Sequence, residues 1–136
     1  MTIEKAMSST VVTIDADDTL LHATRMMKDN KIKHLPVVDR SGSLVGIVTD
    51  RDLKKASASD ATTLEVHELL YLLDKVTIQT IMSKNVVTVD KGTPLKQAAL
   101  LMVDKGIGCL PVMDGKQLVG IVTRTDVLRY FAGLND

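Results

Sequence analysis

A duplication inside the chain constrains its fold more than any other feature. Shifted by 75 positions, residues 2–39 overlay residues 77–114, and after one deleted turn residue the segment 44–53 overlays 118–127. Of these 48 paired positions, 24 are identical. Self-similarity of this kind marks a supersecondary unit that cannot bury its hydrophobic face alone and packs on its copy.

Each copy predicts the same succession of elements. A short β segment (11–14; 86–89) precedes a helix, and two β-rich runs, "LPVVD" or "LPVMD" and then "LVGIVT", follow with polar turn residues between them, which is typical of a hairpin. A second helix begins at positions 49–50 or 123–124. The pair Thr93-Pro94 predicts a good helix start, and Asp18-Thr19 a less clear one. Helical spacing places these apolar residues on one face of the first helix: Leu20, Ala23 and Met27, and in the second copy Leu95, Ala98, Ala99 and Met102.

The predicted fold class is α+β. We expect two pseudo-twofold-related β-α-β-β-α motifs, 1–58 and 77–136, packed through their sheets with clefts where they meet. We expect residues 59–76 to connect the motifs: "SASDATT" (57–63) is loop-like, and a helix follows it, with Asp60 or Thr63 as its cap. The connecting helix is predicted from the spacing of Leu64, Leu69, Leu72, Leu73 and Val76.

Composition excludes several classes of function. Lys plus Arg balance Asp plus Glu at 17 each, and aromatic residues make up 2% of the chain. A neutral chain without aromatic platforms is a poor nucleic-acid binder, and its apolar runs fall short of the roughly 20 residues that cross a bilayer. Because the single cysteine excludes an internal disulfide and "MTIEKAMSS" lacks the features of a signal peptide, we expect a cytoplasmic protein without membrane partners.

The search for catalytic groups predicts that the chain is not an enzyme and requires no cofactor. No Ser/His/Asp order, Gly-rich phosphate loop or metal quartet is present in the sequence. Cys109 is interpreted as a small buried residue because no His–Asp relay accompanies it. His67 with Glu65 and Glu68 is interpreted as a charged helix face, not a metal site.

The octets "GIVTDRDL" (46–53) and "GIVTRTDV" (120–127) carry the clearest binding chemistry. In each, a buried strand ends at a threonine where a helix begins, and the first amides of a helix attract anions. An aspartate three residues on can accept hydrogen bonds from a ribose diol. Thr-x-x-Asp is also an ordinary capping pattern, so Thr49 with Asp52 and Thr123 with Asp126 leave capping and ligand binding equally open.

Both halves resemble the cystathionine-β-synthase (CBS) motif. The opening segment, helix, "LPVVD", "GIVT" and aspartate occur in order twice, over nearly the whole chain outside 54–76. The resemblance implies a CBS pair, or Bateman module, that binds AMP, ADP or ATP in the clefts between motifs and regulates an unidentified protein. It also implies a homodimer.

The resemblance assigns ribose to Asp52 and Asp126, and phosphate to the hydroxyls of Thr49 and Thr123. The other positions it assigns to the ligand are Thr13 and Thr88 on the opening segments, Lys33, His34 and Pro36 with Gly108, Cys109 and Pro111 around the second strand, and Arg51 and Thr125 before each aspartate.

The two predicted sites differ in charge. Lys33, His34 and Arg51 suit a polyphosphate, whereas Gly108, Cys109 and Thr125 suit a neutral or singly charged group. The weakly basic second site leaves an S-adenosylmethionine or NAD sensor as an alternative. A further alternative is a ligand-free dimerisation scaffold, in which the Thr–Asp pairs only cap helices. The insert "ASASDATTLEVHELLYLLDKV" is similar to that of acetoin-utilisation accessory proteins. Many of those proteins carry an ACT domain after the second motif, which we expect this protein to lack.

Overall fold

The predicted α+β class is confirmed. The structure, a computed structural model, describes residues 2–61 and 66–133, and these contain two three-stranded sheets and five α-helices. The first repeat contains β1 (Ile14–Asp15), α1 (Leu20–Asn30), β2 (His34–Val38), β3 (Leu44–Thr49) and α2 (Asp50–Ala61), followed by α3 (Val66–Lys75). The second contains β4 (Val89–Asp90), α4 (Leu95–Lys105), β5 (Cys109–Asp114), β6 (Gln117–Thr123) and α5 (Arg124–Phe131). Short 3₁₀ turns cover Ile3–Lys5 and Ile78–Thr80.

The two sheets have the same topology. β1 runs parallel to β2, and β2 pairs with β3 as an antiparallel hairpin, with β4, β5 and β6 arranged alike. The hairpin pairing shifts register at the same place in each sheet, between Val37 and Val38 of β2 and between Val112 and Met113 of β5. The predicted hairpins are therefore present. The opening strands are shorter than predicted and begin later, at Ile14 and Val89.

The chain divides into two compact units whose boundaries differ from those of the repeat. The central unit is Val12–Val86, and the split unit combines Met1–Val11 with Val87–Asp136. In the split unit the Ile3 amide donates to the Thr93 carbonyl oxygen at 2.8 Å, and Ser8 pairs with Ile121. The motif boundaries 1–58, 59–76 and 77–136 stay a prediction about the repeat in sequence.

The central unit is closed in the same way by the opening segment of the second repeat. The Leu20 amide donates to the Val76 carbonyl oxygen at 2.9 Å, and Ser83 exchanges two backbone hydrogen bonds with Ile47. α3 packs against α1 and α2 of this unit, and Leu73 and Val76 contact its core. The residues 76–83 therefore complete the fold of the first repeat.

Each unit has its own hydrophobic core beneath one face of its sheet. The core of the central unit consists of Ile14, Leu20, Ala23, Met27, Leu35, Val37, Val48, Leu53 and Ile78. That of the split unit consists of Ile3, Ala6, Val89, Ala98, Met102, Leu110, Val112 and Val122. The predicted helix faces are thus confirmed, except that Leu95 and Ala99 are half-buried.

The first helix, whose start was predicted less clearly, has the better N-cap of the two. The hydroxyl of Thr19 accepts from the His22 amide at 3.2 Å and caps α1, whereas α4 has Pro94 at the N-cap with no side-chain hydrogen bond. α4 begins at Leu95, so Pro94, which was predicted at N1, is the N-cap residue, and its side chain has no acceptor for a capping hydrogen bond.

The predicted loop "SASDATT" is also partly wrong, because α2 continues through Ala61 and includes Asp60. Thr63, Leu64 and Glu65 lie outside the described residues, as do the side chains of Asp60, His67, Leu69 and Leu72. The predicted connecting helix is present as α3.

The contact of the opening segments with the hairpins gives a stability prediction. A Cβ on Gly46 would lie 2.5 Å from Met82 Sδ and 2.9 Å from the Ser83 carbonyl oxygen, and the backbone oxygen cannot move away without breaking its bridge to Ile47. Gly46→Ala should lower the free energy of unfolding by about 1–3 kcal/mol, the usual cost of overpacking. Urea unfolding measures the change.

Gly92→Ala is the matched control, because its Cβ would meet only a side-chain oxygen of Asp90 at 3.2 Å. Equal stability of the Gly46 and Gly92 variants would contradict the close packing of residues 82–83 on the first hairpin.

Candidate ligand-binding site

The first predicted site lies where β3 passes into α2. The Thr49 amide donates to Asp52 Oδ2 at 2.9 Å, and the Asp52 amide donates to Thr49 Oγ1 at 3.2 Å. These reciprocal bonds form a capping box, which satisfies two amides that the helix leaves without internal partners. The capping alternative is therefore realised here.

The second junction has the same capping box and one further bond. The Thr123 amide donates to Asp126 Oδ2 at 2.8 Å, and the Asp126 amide donates to Thr123 Oγ1 at 3.3 Å. The Thr123 hydroxyl also donates to Asp126 Oδ2 at 3.0 Å. Within residues 2–61 and 66–133, the Thr49 hydroxyl donates no such bond.

Capping leaves each aspartate with free hydrogen-bonding capacity. A carboxylate has two oxygens and about four lone-pair positions. Both capping boxes use Oδ2, and neither Oδ1 accepts a hydrogen bond from the described part of the chain. Asp52 and Asp126 are half-buried, so solvent reaches them. The cap and a role in holding a ligand are therefore compatible.

The strand register brings other predicted residues to the same junctions. His34 is the cross-strand partner of Thr49, and Cys109 is the partner of Thr123. The Lys33 carbonyl oxygen accepts from the first amide of α2 at 3.0 Å, so Lys33 is fixed beside the helix start while its side chain is exposed. Gly108 accepts from α5 in the same way at 3.1 Å.

Cys109 lies in surroundings that disfavour the reactive thiolate. Its side chain is 7% exposed, and burial, with a smaller contribution from the charge of Asp126, raises the pKa of the thiol to about 12. Because the thiolate is the reactive form, the group stays protonated and inert near neutral pH. The prediction that Cys109 is buried is confirmed.

The remaining predicted residues lie in varied surroundings. Arg51 and Thr125 are exposed on the first turns of α2 and α5, Thr13 is half-buried and Thr88 is exposed. Pro36 and Pro111 are fully buried in the middle strands. No hydrogen bond between described side chains joins these residues to the junctions, and their contact with a ligand stays a prediction.

Arg124 is a charged residue that the sequence comparison missed. It is the counterpart of Asp50 at the first position of the helix, and a Cβ on Gly108 would lie 3.2 Å from Arg124 Nε. The guanidinium therefore lies over the glycine at the predicted second site. Two differences between the repeats could have indicated this arginine: Lys33 corresponds to Gly108, and Asp50 corresponds to Arg124.

Two kinds of site are absent from the described part of the chain. No group of three or more His, Cys, Asp or Glu side chains is placed to hold a metal ion. Among the described helices, none has the length and hydropathy needed to cross a membrane.

The capping boxes predict that removal of either threonine hydroxyl destabilises the ligand-free protein. Thr49→Ala and Thr123→Ala should each lower the free energy of unfolding by about 0.5–2 kcal/mol, the range for lost N-caps. Thr49→Ser and Thr123→Ser keep the acceptor and are the matched controls. If the serine variants lost as much stability as the alanine variants in urea unfolding, the hydroxyls would not be caps.

The CBS domain family model matches residues 3–59 and 78–133. A CBS domain-containing protein of Dictyostelium discoideum is 40% identical over 127 residues, which cover 93% of this chain and 88% of the relative. The L-aspartate semialdehyde sulfurtransferase of Methanocaldococcus jannaschii is 33% identical over 132 residues, which cover 96% of this chain and 23% of that protein. The name of that enzyme thus describes a much longer protein.

Solved structures show the same fold. A CBS domain pair in complex with 5′-methylthioadenosine and S-adenosyl-L-methionine has a TM-score of 0.84 and 32% identity, with 98% of both chains covered. A Vibrio cholerae chain named for acetoin utilization has a TM-score of 0.81 and 30% identity, covering 98% of this chain and 92% of that one. CBSX2 in complex with AMP has a TM-score of 0.79 and 25% identity, covering 99% and 98%. The chain therefore belongs to the CBS domain family, as a tandem pair.

Proposed function

We propose that the chain is a regulatory module that binds an adenosine nucleotide, AMP, ADP or ATP, and signals its occupancy to a partner protein. One observation carries the proposal. Two copies of the same strand-to-helix junction each hold an aspartate through one carboxylate oxygen, while the other oxygen accepts no hydrogen bond from the described residues. A fixed carboxylate beside a helix start suits a ribose diol next to a phosphate.

The charges around the junctions support a phosphorylated ligand. The helix start favours anions, and Lys33 and Arg51 add exposed cations to the first site. The Thr49 hydroxyl, which donates nothing to Asp52, can donate to the ligand. At the second site Arg124 supplies a cation, but the Thr123 hydroxyl already donates to Asp126. We therefore expect the first site to bind the more highly phosphorylated ligand.

S-adenosylmethionine is the second candidate ligand. The pair solved with S-adenosyl-L-methionine and 5′-methylthioadenosine is 32% identical to this chain. The second site, with Gly108 and buried Cys109 where the first has Lys33 and His34, suits a nucleoside with little negative charge. NAD stays a third possibility from the sequence.

The proposal makes the chain a sensor and not a catalyst. Its residues hold a ligand, and the readout is a shift in a conformational equilibrium that another protein recognises. We also propose that the protein is cytoplasmic, needs no cofactor for its fold and forms a homodimer. The rival proposal is a ligand-free scaffold, in which the Thr–Asp pairs only cap helices.

Titration calorimetry with AMP, ATP, S-adenosylmethionine and NAD tests the proposal. Asp52→Ala or Asp126→Ala should weaken binding at its own site by roughly 10- to 150-fold, the equivalent of about 1.5–3 kcal/mol for hydrogen bonds to a charged group. The experiment is run far below the unfolding temperature, so that the lost cap does not unfold the variants.

Asp74→Ala, an exposed acidic position on α3, is the matched control and should bind as the unmodified protein does. Absence of binding by every ligand would favour the scaffold. Binding that both Asp52→Ala and Asp126→Ala leave unchanged would show that the junctions are not the ribose sites.

A further inference from the structure

Two methionines lie over glycines at equivalent places in the two units. In the central unit, Met82 Sδ lies 2.5 Å from the position that a Cβ on Gly46 would take. In the split unit, Met7 Sδ lies 2.5 Å from the corresponding position on Gly120. Met82 is the counterpart of Met7 in the repeat, and Gly120 is that of Gly46. The same contact between a sulfur and a glycine is therefore built twice.

Each methionine adjoins the backbone bridge that holds the start of a repeat on a hairpin. Met82 directly precedes Ser83, which exchanges two backbone hydrogen bonds with Ile47 at 2.9 and 3.0 Å. The residue after Met7 makes the same two bonds with Ile121, also at 2.9 and 3.0 Å. We call residues 7–8 and 82–83 the bridge segments. Each bridge segment completes its unit, so a change at either sulfur acts where that unit is closed.

The surroundings of both sulfurs suit a thioether and not a sulfoxide. Met82 packs against the core of the central unit and Met7 against the core of the split unit, and Gly46 and Gly120 are buried. A thioether is apolar, whereas a sulfoxide is polar. An added oxygen either stays between segment and strand without a hydrogen-bond partner, at a cost in free energy, or moves the side chain off the glycine.

Both methionines are also within reach of a small oxidant. Their side chains are half-buried, so solvent reaches them. Met26 and Met113 are half-buried as well, but neither is among the closest neighbours of Gly46 or Gly120. These two residues, which we call the control methionines, separate the effect of exposure from the effect of the contact with glycine.

We infer that Met7 and Met82 are modification sites at which a peroxide oxidises the sulfur and releases the bridge segment from its hairpin. In this reaction a sulfur lone pair forms a bond to one peroxide oxygen while the O–O bond breaks. The sulfur loses two electrons and becomes the sulfoxide, and hydrogen peroxide is reduced to water. Methionine sulfoxide reductases reverse the change. The inference goes beyond the proposed nucleotide site and does not rest on it.

Peptide mass spectrometry of the full chain during treatment with hydrogen peroxide tests where oxygen is added. Met7 and Met82 should be oxidised together with the control methionines. Met27 and Met102, which are 6% and 5% exposed, should be oxidised later. If Met7 and Met82 stayed unmodified while the control methionines were fully converted, the inference would be wrong.

Hydrogen exchange of backbone amides tests whether oxidation releases the segments. After full conversion of Met7 and Met82, the bridge amides of Ser8, Ile47, Ser83 and Ile121 should exchange at least about 10-fold faster, because each bridge opens more often. The untreated protein gives the reference rates. Exchange that stays as slow at both bridges as in the untreated protein would overturn the inference.

Leucine variants assign the response to the two sulfurs. The double variant Met7→Leu, Met82→Leu keeps apolar side chains of similar volume, and peroxide should leave its bridge amides unchanged. The double variant of the control methionines, Met26→Leu with Met113→Leu, is the matched control and should respond as the unmodified protein does. A full response in the Met7→Leu, Met82→Leu variant would refute the assignment.

Reduction of the sulfoxides keeps the test decisive if the first double variant does not fold, which far-UV circular dichroism detects. Methionine sulfoxide reductases specific for each of the two sulfoxide epimers are added to the oxidised, unmodified protein. Slow exchange at the bridge amides should return as Met7 and Met82 lose their oxygen. Exchange that stays fast after both residues are reduced would contradict a reversible release. None of these measurements involves a nucleotide, so their failure leaves the proposed function standing.

Discussion

The hydrogen bonds between a threonine amide and an aspartate three residues later are the constraint on which the proposed site depends. They hold the last residue of the strand against the first turn of the helix, at 2.9 Å in the first repeat and 2.8 Å in the second. The helix amides and one carboxylate oxygen are thereby fixed at the end of each hairpin by the fold itself. A binding site that is already ordered loses less entropy when it binds.

The repeats share this junction but differ in what surrounds it. Asp50 at the start of α2 becomes Arg124 at the start of α5, and Lys33 and His34 become Gly108 and Cys109. The lysine that precedes β2 therefore has no counterpart before β5, and an arginine at the start of α5 lies over Gly108 instead. Under the proposed function, these two charge arrangements would favour two different ligands or two affinities for one ligand.

Local patterns predicted much of this structure, whereas contacts distant in sequence could not be predicted. The hairpins, the helix faces and the start of α5 at Arg124 follow from β-rich runs, polar turns and Thr-x-x-Asp. The pairing of Ser8 with Ile121 depends on tertiary packing, as does the closing of the first repeat by residues 76–83. Periodicity carries no such information. Arg124 was missed for a related reason, since its position over Gly108 is set by the paired strands.

The most direct test of the account is an ¹H–¹⁵N correlation spectrum recorded during titration with AMP. The account predicts saturable chemical-shift changes at the amides of Thr49 and Asp52, at those of Thr123 and Asp126, or at both pairs. The amide signals of Ser41 in the hairpin turn and of Lys75 at the exposed end of α3 should not change. An unchanged spectrum with AMP, and then with ATP and S-adenosylmethionine, would contradict a nucleotide site at these junctions, as would shifts confined to other residues.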